Sequence, residues 1–138
     1  MTLSDIKKIF NTVVINGGAS VLPEEFNVGM VERCFGSLFS FDEESSEYIV
    51  KKYQIYEPSL PKKVFPIAND PAGNLICLDY NNNSGSPIVV FGEHENAWEK
   101  EMLIKVEGLT EEQAEERARE NVFYVAATFT EFLDKLHV

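Results

Sequence analysis

Between residues 64 and 91 three short apolar runs alternate with two clusters of turn-forming residues, and this pattern constrains the fold more than any other. Residues 64–68 run into Asp70-Pro71-Ala72-Gly73, where Asp at i, Pro at i+1 and Gly at i+3 are the residues a type I turn favours. Residues 75–80 follow, apolar on both faces as far as Asp79. Asn81-Asn82-Asn83-Ser84-Gly85-Ser86-Pro87 then offers a second reversal. Ile88-Val89-Val90-Phe91 is apolar throughout, the mark of a central strand covered on both sides. Connections this short join antiparallel neighbours, because a parallel return needs a crossover of a dozen or more residues. The segment predicts an antiparallel meander that needs helices to cover it.

Those helices are written on either side. Ile6, Ile9, Phe10, Val13 and Val14 share one helical stripe, Thr2 with Asp5 fits a capping box, and Asn16-Gly17-Gly18 stops the run. Thr128 with Glu131 opens a last helix striped by Phe129, Phe132, Leu133 and Leu136. Between them, residues 28–41 read as a strand or two with bends at Gly29 and Gly36. Residues 42–46 form an acidic loop able to cap a short helix that carries Tyr48, Ile49, Lys52, Tyr53 and Tyr56 and ends at Pro58. Thr110 with Gln113 opens a helix over 111–120 whose apolar face is only Ala114 and Ala118, which predicts a solvated or mobile element and a poor rigid platform. Residues 122–125 suit a short strand. No repeat or linker interrupts the 138 residues, and a 44% apolar, 12% aromatic composition is ample for one core. The expectation is α+β: a single domain over 1–138, a mainly antiparallel sheet around 64–68, 74–80 and 87–92, and flanking helices at 3–15 and 128–137.

Charge narrows the partners. Twenty-three acidic against 12 basic residues leave a net charge of −11, which repels phosphate backbones and anionic lipid and attracts basic proteins. Neither nucleic acid nor membrane is expected as a partner. The longest clean apolar run has four residues, far short of the roughly 20 a membrane helix needs. The opening residues lack a signal-peptide core. Cys34 and Cys77 sit in separate apolar segments with no CxxC, as buried free thiols of a reducing compartment do. The chain reads as soluble and cytoplasmic.

Catalytic chemistry finds little footing. There are only two His, with no GxSxG elbow, so a Ser-His-Asp triad has no basis. A Cys77–His94 pair can be drawn, but a thiol in mid-strand among apolar neighbours is no nucleophile. Glu93, His94 and Glu95 are adjacent, and alternate strand residues face opposite ways, so at most two converge on a metal. Gly17-Gly18 ends a helix instead of opening one, against a phosphate cradle. No catalytic residue, metal or cofactor is expected.

At Phe65-Pro66-Ile67-Ala68-Asn69-Asp70-Pro71-Ala72-Gly73-Asn74 and the strand after it, the chain resembles the SUKH superfamily, named for fungal cell-wall-assembly regulators of the Smi/Knr type and populated in bacteria by toxin-immunity proteins. The family's proline followed by "I-A-x-D-x-x-G-N" is complete here. In order along the chain, Asn16-Gly17-Gly18 resembles its helix-ending element. Ile88-Val89-Val90-Phe91 with His94-Glu95 resembles its "strand, then Asp-His-Glu", and Ala127-Thr128-Phe129-Thr130-Glu131-Phe132-Leu133 resembles its closing helix. Family members usually carry one more helix and then a Leu-Pro ahead of the Asn-Gly-Gly helix; Leu3-Ser4-Asp5 stands where that Leu-Pro would sit, and dimerisation could fill the gap. The resemblance implies a binding protein without turnover: an immunity-type protein that neutralises a cognate toxin, or a regulatory scaffold of the cell-wall type. The acidic balance favours the first, since a nuclease toxin is basic where it holds phosphates.

Two acidic groups are candidates for the partner surface. Asp42, Glu43, Glu44 and Glu47 surround one loop; Glu93, Glu95 and Glu99 flank Trp98 after the central strand. Either group also suits an ordinary solvated face. The second is preferred because a rigid strand precedes it and Trp98 could anchor a partner inside a charged rim. Taken as an isolated aromatic, Trp98 is expected to pack across the sheet edge first and to serve as a semi-exposed partner anchor second.

Overall fold

The computed structural model describes residues 25–28, 31–81, 86–95 and 97–135; the helix expected at 3–15 and residues 82–85 of the second reversal lie outside them. A hairpin of β1 (Glu25–Val28) and β2 (Val31–Cys34) precedes a five-stranded sheet. Its strands are β3 (Ser37–Leu38), β4 (Val64–Asn69), β5 (Leu75–Asp79), β6 (Ile88–Gly92) and β7 (Val122–Ala126). They stand side by side in chain order, and every pairing is antiparallel. The meander read from the sequence is its centre.

Every residue of β5 is buried, as a strand covered on both faces must be. The register pairs Leu75 with Gly92, Cys77 with Val90 and Asp79 with Ile88, which puts these residues on one face. Ile76 with Phe91 and Leu78 with Val89 form the other. Pro66 has no N–H to give the ladder, and the register between β4 and β5 shifts between Pro66 and Ala68, the bulge where a strand tolerates proline. At Gly36 the chain crosses β4 so closely that its N–H reaches the Asn69 carbonyl at 3.0 Å, and a Cβ would press on that same oxygen.

Helix α1 (Ile49–Tyr56) continues into a 3-10 turn at Glu57–Ser59. It buries Ile49 and sets the Tyr53 ring 5.0 Å from Phe65, which lies 6.0 Å from Tyr80. The acidic loop does not cap it. The Asp42 carboxylate accepts from the Glu44 N–H, the Ser45 hydroxyl from the Glu47 N–H, and Tyr48 at the N-cap contributes no side-chain bond. Asx and Ser turns inside the loop have claimed those oxygens.

Helix α2 (Lys100–Glu107) is absent from the sequence reading and ends on Gly108, whose φ of 72° is the left-handed cap glycine adopts freely. Helix α3 (Glu111–Glu120) opens on the predicted box: Thr110 Oγ1 accepts from the Gln113 N–H at 3.1 Å, and Gln113 Oε1 accepts from the Thr110 N–H at 2.9 Å. It is better anchored than its sparse apolar face suggested. Ala114 and Ala118 are buried, small enough to let the backbone come close. Arg119 donates to Asp79 at 2.6 Å and to the Lys62 carbonyl at 2.7 Å, while Glu115 takes the Lys62 N–H and pairs with Lys100 at 3.3 Å. Helix α4 (Phe129–Lys135) buries Phe129 and Phe132, with the Phe132 ring 6.2 Å from Phe35. Among the described residues no helix is long and apolar enough to cross a membrane.

Candidate functional site

The loop end of the sheet is organised by the 70–74 turn. Asp70 is buried, and one carboxylate oxygen accepts from the backbone N–H groups of Ala72 and Asn74 at 2.9 and 2.8 Å. Its other oxygen accepts from Asn74 Nδ2 at 2.9 Å. The turn itself closes through Gly73 N–H to Asp70 O, with Gly73 at φ 87°, a conformation that glycine reaches without a Cβ penalty. Asn74 Oδ1 then accepts the His94 N–H at 2.7 Å, which ties the chain leaving β6 to the β4–β5 turn. On its other side that chain is fixed by Asn121, whose carbonyl accepts the Glu93 N–H and whose amide donates to the Glu93 carbonyl. Glu93 and His94 therefore stand on backbone held from two directions.

A cavity of about 180 Å³ opens beside this junction. Leu60, Leu75, Ala118 and Val122 supply apolar wall, and Glu93, His94 and Glu99 supply polar lining. Trp98 does not face it. Glu99 is the N-cap of α2, so Trp98 and Leu103 occupy the two positions of a hydrophobic staple, and both line a second, shallow hollow of about 130 Å³ with Met102 and Val106. The staple leaves Trp98 62% exposed, with Met102 at 44% and Val106 at 72%. Three large apolar side chains thus form an open ridge at i, i+4 and i+8. Of the two places the sequence allowed Trp98, packing across the sheet edge is not the one it takes.

The preferred acidic group is split by this geometry. Glu93 and Glu99 share the cavity, while Glu95 is exposed and lines neither hollow. None of the three has an ion pair among the described residues, whereas several neighbours do. Glu101 is held below the usual carboxylate range by its hydrogen bond from Lys105 at 2.6 Å and by that ammonium's charge. Glu107 pairs with Arg117 at 3.5 Å. In the other group Asp42, Glu43 and Glu44 are exposed, but Asp42 is engaged in its turn and Glu47 pairs with Lys52 at 3.5 Å. Sequence reasoning missed Met102, Val106 and the cavity wall; the spacing of Trp98, Met102 and Val106 was the available signal for the ridge.

Cys77 is wholly buried in β5, and burial, with Asp79 nearby, pushes its thiol far above the ordinary range. A Cys77–His94 pair therefore has no thiolate to offer. The Cys34 side chain lies outside the described residues. Among the described residues no group of three or more His, Cys, Asp or Glu side chains gathers as a metal site.

Fold and site together define a small α+β domain: an antiparallel meander whose signature turn is a hydrogen-bonded frame, carrying an acidic cavity and an apolar ridge at one end. The family model described as SMI1 / KNR4 family (SUKH-1) matches residues 12–135, and the chain belongs to that family. No curated protein and no solved structure gives a significant match.

Proposed function

We propose that the chain is an immunity-type protein that binds a basic toxin domain through the surface around Trp98 and so denies the toxin its substrate. The observation carrying this reading is the open Trp98–Met102–Val106 ridge, with Glu99, which has no ion pair among the described residues, next to Trp98 in the chain and lining the neighbouring cavity. An exposed aromatic with aliphatic neighbours and a charged rim is the composition of a protein-binding hot spot. A net charge of −11 draws cations toward it and repels nucleic acid. A nuclease domain must present Lys and Arg to hold phosphates, and a protein that occupies those cations blocks substrate without any turnover of its own.

The test begins with the neighbouring reading frames: a toxin-sized product encoded beside this chain is co-expressed with it. Protection of growth, and one tight complex, are expected; several weak partners and no protection would favour a cell-wall-type regulator instead. Reversing Glu93, Glu95 and Glu99 to Lys should slow association about tenfold or more at low ionic strength, with the gap closing as salt is added. If that variant binds as fast as the parent at low salt, the surface is another one.

A further inference from the structure

The ridge explains how a partner could dock, but it leaves the cavity between β6, α3 and the Glu57–Ser59 turn without a use. A volume of about 180 Å³ has room for about six water-sized groups at about 30 Å³ apiece. That is the scale of one long side chain, below the range of drug-sized ligand sites. Its depth is apolar, from Leu60, Leu75 and Val122, and Tyr56 adds a ring. Glu93 and Glu99 line it, and no cation of this chain pairs with either carboxylate among the described residues, although Lys100 and Lys105 are sequence neighbours. Those two ammonium groups are held elsewhere, Lys100 by Glu115 and Lys105 by Glu101.

From this arrangement we infer that the cavity receives an arginine side chain of the partner, its stem against the apolar wall and its guanidinium at Glu93 and Glu99. This rests on the reading of the partner as basic. Arginine fits better than lysine. Its head is planar and weakly hydrated, gives forked donors to two carboxylates, and stacks on an aromatic ring; an ammonium is compact and strongly hydrated. The frame that binds Asp70, Asn74 and Asn121 to the 93–94 backbone holds the acidic side in place before the partner arrives, which lowers the ordering cost of binding.

The experiment needs no toxin, so its failure overturns the cavity's assignment alone and leaves the immunity reading to its own co-expression test. Isotope-labelled protein is titrated with Nα-acetyl-arginine methylamide at low salt while backbone amides are followed by NMR. Saturable shifts are expected at Gly73, Gly92, Glu93 and His94, with the norleucine analogue and guanidinium chloride each binding at least tenfold more weakly. Glu93→Gln with Glu99→Gln should weaken the arginine probe about tenfold. Ala97→Phe, which fills the opening and leaves both charges, should abolish the shifts. Equal response to guanidinium chloride, full binding by the double Gln variant, or shifts centred on Trp98 would each refute the assignment.

Discussion

Asn74→Asp puts a second carboxylate where the amide now donates to Asp70, without changing the side chain's shape. Nδ2 stands 2.9 Å from the Asp70 oxygen, and Asp70 and Asn74 are both buried. Two unit charges at that distance repel by about 6 kcal/mol at an effective dielectric of about 20. The pair escapes this by keeping one proton, so the cost is set by holding a carboxyl protonated above its ordinary value of about 3.9. The folded value is raised above the unfolded one. The penalty is therefore absent below about pH 3.9 and grows by about 1.4 kcal/mol per pH unit above it. It reaches about 1.5 kcal/mol at pH 5 and about 4 kcal/mol at pH 7. A chain of 138 residues has an unfolding entropy near 0.29 kcal/mol/K at about 2.1 cal/mol/K per residue. The variant should melt about 5 °C below the parent at pH 5 and about 14 °C below it at pH 7. Urea titrations of both proteins at pH 5, 6 and 7 read the slope directly. A difference that stays constant across that range would mean the amide does not face Asp70, and the turn's frame would have to be redrawn.

Two other predictions follow from buried groups. Arg119→Ala strands the nearly buried Asp79 carboxylate and frees the Lys62 carbonyl; it should cost about 3 kcal/mol and about 10 °C of Tm, with Arg119→Lys recovering only part. A variant as stable as the parent by urea denaturation would show that the pair does not anchor α3. Cys77, held protonated by burial and by the nearby Asp79 charge, should react with a disulfide-exchange reagent at pH 8 only on unfolding. Comparison with Cys77→Ser identifies its signal, and fast labelling of native Cys77 would contradict the buried β5.

What the sequence made legible was what short-range chemistry writes. The meander needs only apolar runs and the turn residues between them, and both lie within 64–92. The α3 box is equally local, since Thr110 and Gln113 satisfy each other three residues apart. Helix α2 was not legible for the same reason in reverse. Its N-cap Glu99 makes no side-chain bond and its one buried residue is Leu103, so the only apolar spacing that announces it, Trp98, Met102 and Val106, is one that faces solvent instead of the core. The docking of α3 was hidden by distance. Arg119 and Asp79 are 40 residues apart, and a helix with two small buried residues gives no sign in its own pattern that a distant carboxylate holds it.

The site was obscured by abundance. Twenty-three acidic residues make any short window look like a candidate surface, and composition cannot say which carboxylates are already engaged. The structure sorts them by partner. Asp70 and Asp79 are buried frame members: Asp70 holds the Ala72 and Asn74 N–H groups, and Asp79 holds the Asn81 N–H and a guanidinium. Glu47, Glu101, Glu107, Glu115 and Glu131 each have a cation of this chain within 3.5 Å. Among the described residues Glu93, Glu95 and Glu99 have none, nor have Glu43, Glu44, Glu57, Glu111, Glu112, Glu116 and Asp134, but Glu93 and Glu99 also line a cavity with an apolar wall. An acid paired within its own chain must break that pair before it can serve a partner, and the exchange returns little. An unpaired acid beside exposed Trp98 has no such pair to lose. Its attraction for an incoming cation is undiminished, and it sits where apolar contact can convert a steered encounter into a lasting one. This end of the sheet is therefore favoured by unpaired carboxylates that line a cavity near an exposed apolar ridge, a tertiary juxtaposition that charge density along the chain does not carry.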